Sequence, residues 1–129
     1  AYVKASNTGG GDKFGQSLAL AANGDTLVVG APSEDSGASG IDGDQGDLDS
    51  DGEVGAAYVF ARVGNTWSQQ AYVKASNSST EMYFGYSFGL SADGNRLVVG
   101  ALGDLSSAEG IDGPQVTADG FERGAAYLY

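Results

Sequence analysis

Residues 14–32 read FGQSLALAANGDTLVVGAP, and residues 84–102 read FGYSFGLSADGNRLVVGAL. Both stretches have the same three parts. Leu18 and Leu20 alternate with smaller or polar neighbours, the period of two expected of a half-buried strand. Asn23-Gly24 and Asp93-Gly94 are residues that tolerate positive φ and so suit a tight hairpin. The run TLVVGA is apolar without alternation, as in a central strand covered on both faces. The pattern predicts β-structure.

Working outward, the whole chain is written twice. AYVKASN stands at 1–7 and again at 71–77, GIDG at 40–43 and 110–113, and GAAYVF at 55–60 returns as GAAYLY at 124–129. The blocks keep one order, offset by 70 residues at Phe14 and Phe84 and by 69 at Gly55 and Gly124. After TLVVGA, the run GAAYVFARV reads as a third strand, Gly64-Asn65 as a turn and TWSQQAYVKAS as a long edge strand. Four antiparallel strands per copy, apolar on both faces, must stack against further sheets. The expected fold class is therefore all-β, built of β-propeller blades. The expected units are 1–70, with an N-terminal edge strand at 1–7, and 71–129, without a fourth strand of its own.

Two blades cannot close a ring that takes about four to eight. The first strand and the missing one complement each other, so the expected partner is a second copy, in a homo-oligomer or filament made by β-strand complementation. The other reading is a piece of a longer surface propeller that binds a glycan or a protein. Opening on AYVKAS, the chain reads as a mature product or an excised piece.

Composition narrows the partners. Six Lys and Arg against 17 Asp and Glu give a net charge of −11, with no basic surface for nucleic acid or anionic lipid. No apolar run approaches the roughly 20 residues of a spanning helix, so membrane insertion is not expected. Cys and His are both absent, which removes thiolate and imidazole catalysis and most zinc sites. With 22 Gly, 2 Pro and 41% apolar residues, the chain is neither collagen-like nor disordered.

FGQSLAL, NGDTLVVGAPSEDSG and GAAYVF together resemble the FG-GAP repeat, found in the β-propeller of integrin α-subunits and in bacterial secreted or surface proteins. Phe14-Gly15 and Gly30-Ala31-Pro32 match the signature, as does Phe84-Gly85; Leu102 stands where the second copy would have proline. The resemblance implies a propeller, an extracellular or cell-surface location, and adhesion, recognition or scaffolding, often with bound calcium. No enzymatic activity is expected from the residues themselves.

In the integrin-like blade the calcium loop joins the first and second strands, where AANGDT and SADGNR are too short to hold it. The acidic run DGDQGDLDSDGE, 42–53, falls between the second and third strands. There Asp47-x-Asp49-x-Asp51-Gly52 reproduces the opening of the pattern, and Gly55 stands where its last Asp would fall. Calcium takes six to eight oxygens. The candidate ligands are Asp47, Asp49, Asp51 and Glu53, with Asp42 and Asp44, or Glu34 and Asp35, completing the shell. A weaker set is Asp112, Asp119 and Glu122. A solvated acidic loop without metal is the other reading, since like charges about 5 Å apart in water repel by under about 1 kcal/mol.

Recurring aromatics at Tyr2, Tyr72, Tyr58, Tyr127, Phe60 and Trp67 are read as packing between blades rather than a sugar platform. Phe14 and Phe84 are expected to wedge between blades. Lys4 and Lys74 are read as edge-strand lysines that deter promiscuous pairing. A carboxylate glycoside hydrolase stays the least supported reading, because nothing marks a buried acid beside a nucleophile.

Overall fold

The computed structural model describes residues 1–46, 52–116 and 119–129. It contains two antiparallel sheets and, among the described residues, no helix. The first sheet has the order β1 (Ser17–Leu20), β2 (Thr26–Ala31), β3 (Ala56–Val63) and β4 (Thr66–Val73). The second has the order β5 (Phe84–Leu90), β6 (Leu97–Ala101) and β7 (Ala125–Leu128). Each strand pairs with its neighbour in sequence, a meander that needs only local turns.

The first turn differs from a two-residue hairpin. Leu20 faces Leu27 in the register, and the loop closes through Ala21 N–H to Thr26 O at 2.9 Å. Gly24 alone takes a positive φ, 73°, while the Asn23 side chain accepts the Asp25 N–H at 3.0 Å. The amide of Asn23 is spent on a local side-chain turn, so the residue stays out of the left-handed region.

The central strands β2 and β3 are buried on both faces over most of their length, as the unbroken apolar run requires. Val28, Ala57 and Val73 point into a core shared with Met82, Phe84 and Val99 around the second sheet. Phe88 and Leu90 of β5 pack against the same core. On the opposite face Val29, Ala31, Tyr58, Phe60 and Tyr72 form a second cluster, with Val3 and Phe14 against it. Phe84, fully buried, lies between the blades as its position in the repeat foretells; its burial is worth about 2–3 kcal/mol.

Two glycines explain why the sheets come so close. At Gly30 an added Cβ would lie 2.2 Å from the Gly85 carbonyl oxygen, and at Gly85 it would lie 2.4 Å from the Ala56 oxygen. Gly85 also has φ 86°, within the shifted register that separates Phe84 from Ser87. Its carbonyl accepts the Ser17 hydroxyl at 2.5 Å. The Phe-Gly pair of one blade thus seats on the Gly-Ala pair of the other, backbone to backbone.

Candidate functional site

The segment between β2 and β3 folds over the end of β4. Asp42 N–H donates to Tyr72 O at 2.7 Å, and Tyr72 N–H donates to the Asp42 carboxylate at 2.9 Å. Lys74 N–H donates to Gly40 O at 2.8 Å, and Ile41 bridges Val73. Gly40 and Asp42 reach this geometry with positive φ, 74° and 54°. The edge of β4 is therefore covered at this end.

Beneath this cover lies a buried ion pair. Lys74 Nζ stands 2.5 Å from Glu34 Oε2, with side-chain exposures of 0% and 1%. Glu34 Oε1 accepts the Tyr72 hydroxyl and the Asn7 side-chain amide, each at 2.8 Å. Ser36 hydrogen-bonds the Tyr72 hydroxyl, and Tyr58 donates to Asn7 Oδ1 at 2.6 Å. Burial pulls the Lys74 ammonium below the usual lysine range, with Glu34 opposing it. Burial likewise pushes the Tyr72 phenol up, helped by the Glu34 charge and opposed by Ser36. A buried pair survives only where its remaining polar atoms are satisfied, and here they are.

This pair corrects the reading of Lys74 as an exposed edge lysine. The strand begins at Thr66 as expected but ends at Val73, short of Lys74, and the loop that buries this end is not foreseeable from strand periodicity. The signal was present in the duplication: an acid at 34 and 104, a lysine at 4 and 74, and GIDG at 40 and 110.

In the second blade the same cradle stands without a fourth strand. Asp104 takes the place of Glu34, Ser106 of Ser36, Asp112 of Asp42, and Tyr127 of Tyr58. Asp104 Oδ2 accepts from the Asn77 side chain at 2.9 Å and lies 2.8 Å from the Tyr127 hydroxyl, while Oδ1 accepts the Ser106 N–H at 3.0 Å and bonds the Ser106 hydroxyl. Burial alone would raise the Asp104 carboxyl, yet hydrogen bonds from Ser106, Asn77 and Tyr127 hold it below the usual range. Gly110 and Asp112 keep the φ values of their counterparts, 75° and 54°. Among the described residues no strand pairs with the outer edge of β7. A cleft of about 810 Å³ follows that edge, lined by Ser106, Gly110, Asp112, Tyr127 and Leu128 among others.

Most of the sequence-predicted metal ligands that fall among the described residues have separate partners. Asp47, Asp49 and Asp51 lie outside the described residues. The Asp42 carboxylate is engaged by Tyr72 N–H, and that of Asp44 by Gly46 N–H at 3.0 Å. Glu53 accepts from Ser33 at 2.9 Å and meets Lys13 at 3.2 Å; hydrogen bonds from Tyr83, Ser33 and Lys13 hold its carboxyl low. Asp112 lines the cleft, Asp119 makes a two-pronged pair with Arg123 at 2.7 and 2.8 Å, and Glu122 is exposed. Glu34, offered as a helper ligand, is enclosed with Lys74. Among the described residues no three carboxylates come together to hold a metal ion.

Stacked antiparallel blades docked through Phe-Gly and Gly-Ala pairs make this a propeller-type module. A family model described as FG-GAP repeat matches residues 1–60 and 67–129, and the chain belongs to that family. Comparison with curated proteins and with solved structures finds no match.

Proposed function

We propose that the chain is a non-enzymatic, extracellular propeller module that assembles head to tail with copies of itself, for structural or adhesive ends. One observation carries this reading: its two open faces resemble the two halves of the interface already closed between its blades. Leu18 and Leu20 are 64% and 60% exposed, whereas their counterparts Phe88 and Leu90 pack into the shared core. At the other end Val98 is 38% exposed against 0% for its counterpart Val28. Apolar faces of this kind mark contact surfaces. Joining one face to the other is a heterologous contact, which yields a ring if the rotation closes and a filament otherwise.

Sedimentation equilibrium tests the proposal. Masses at multiples of 13.0 kDa, rising with concentration, support it. A monomer at every concentration contradicts it, and flanking repeats in a longer chain would then be the cover for these faces. Calcium on the 42–53 loop belongs to the same proposal and rests on the Asp47-x-Asp49-x-Asp51 spacing. A melting temperature unchanged by chelator removes it.

A further inference from the structure

We propose that the open cleft of the second blade is a recognition site for the Ala1–Lys4 segment of a second copy, which forms no strand within its own chain, with Lys4 as the cationic partner of Asp104 and Tyr2 as the partner of Ser106. The inference rests on the head-to-tail reading and names the contact that gives it register. Its main support is an internal duplicate. Residues 71–77 have the same sequence as residues 1–7, and Tyr72 and Lys74 already occupy the equivalent place in the first blade.

Transferring those contacts by the repeat offset gives a complete set of partners. Lys4 meets Asp104 as Lys74 meets Glu34. The Tyr2 hydroxyl meets Ser106 as that of Tyr72 meets Ser36. Tyr2 N–H and C=O meet the Asp112 carboxylate and N–H, as Tyr72 meets Asp42. Lys4 N–H meets Gly110 O, as Lys74 meets Gly40.

Donor and acceptor are both ready. Tyr2 is 87% exposed where Tyr72 is 1% exposed, and Lys4 is exposed with no ion pair among the described residues. Asp104 is buried to 1% exposure, and its described partners are all neutral. These neutral donors hold the Asp104 carboxylate without supplying it a cationic partner. The loop at Gly110 and Asp112 already has its occupied shape, so binding orders little beyond the incoming strand. One cation at one position also fixes register, because a strand slipped by one residue would present Val3 or Ala5 to Asp104.

The test uses the full chain with two probes. Sedimentation compares the unmodified protein with Lys4→Met, Tyr2→Ser and Asp104→Asn. Lys4 and Tyr2 are exposed, so those variants keep the fold; each is expected to weaken association, Lys4→Met by about 30-fold or more. Combining Lys4→Met with Asp104→Asn is expected to cost little beyond either alone, as for one shared contact. The second probe is a heptapeptide of sequence AYVKASN, titrated into ¹⁵N-labelled protein. It should shift the amides of Ser106, Gly110 and Asp112, and a peptide with methionine for lysine should not. Association that is indifferent to Lys4→Met and Tyr2→Ser overturns the inference and leaves head-to-tail stacking standing. A monomeric chain that still binds the peptide in the cleft overturns self-assembly and keeps the recognition. Absence of both association and peptide binding overturns both.

Discussion

Lys74 and Glu34 meet at 2.5 Å with neither side chain exposed to water, and they join the end of β4 to the segment that leaves β2. The contact ties the fourth strand of the blade to its second–third connection. Removing one partner leaves the other charged and buried. Lys74→Met is expected to cost about 3–5 kcal/mol in urea unfolding. Adding Glu34→Gln to it should return part of that loss, because the stranded charge goes. A loss of less than about 1 kcal/mol for Lys74→Met would deny the pair its structural role.

The docking of the blades predicts an ordering of glycine variants. Gly30→Ala puts a methyl 2.2 Å from the Gly85 carbonyl, and Gly85→Ala combines a 2.4 Å clash with a positive φ. Each should lower stability by about 1–3 kcal/mol or more. Gly15 has φ 95° but open space around it, so Gly15→Ala should cost only the backbone term, about 1–2 kcal/mol. Thermal melts of the three variants check the order.

Much of this architecture is legible in the residues. The alternation at Leu18 and Leu20, the apolar run to Ala31 and the duplicated blocks lead directly to stacked meanders. What hides is the use made of loop residues. Asp42 looks like a ligand in an acidic run, yet its carboxylate holds a strand amide. Lys74 looks like a surface lysine, yet a loop from 40 residues earlier encloses it. Periodicity reports which face of a strand is apolar. It carries no information on which loop crosses an edge.

Acid should destabilise the protein through carboxylates held low. Asp104 is one, burial being outweighed there by bonds from Ser106, Asn77 and Tyr127; Asp119 beside Arg123 and Asp93 beside Ser91 are others. A carboxyl with a depressed native pKa binds fewer protons folded than unfolded. Its contribution is therefore present above the ordinary carboxylate pKa of about 4 and lost as pH falls through the native value. The melting temperature should hold between about pH 7 and 5 and drop below about pH 4, with a smaller drop in Asp104→Asn. A profile that stays flat into strong acid contradicts this.

The open front face can be tested apart from the strand cleft. Leu18 is 64% exposed, so Leu18→Lys should change monomer stability by no more than about 0.5 kcal/mol. Head-to-tail stacking would bury that position as Phe88 is buried, and the variant should sediment as a monomer. Unimpaired association of Leu18→Lys would place the contact elsewhere.

Hydrogen exchange followed by mass spectrometry tests the central claim most directly, because residues 71–74 serve as the occupied reference for residues 1–4. The account predicts that amides of 1–4 gain protection as concentration rises, approaching that of 71–74, together with 110–112 and 125–128. Residues 1–4 exchanging at the unprotected rate at concentrations where the protein is associated would contradict it.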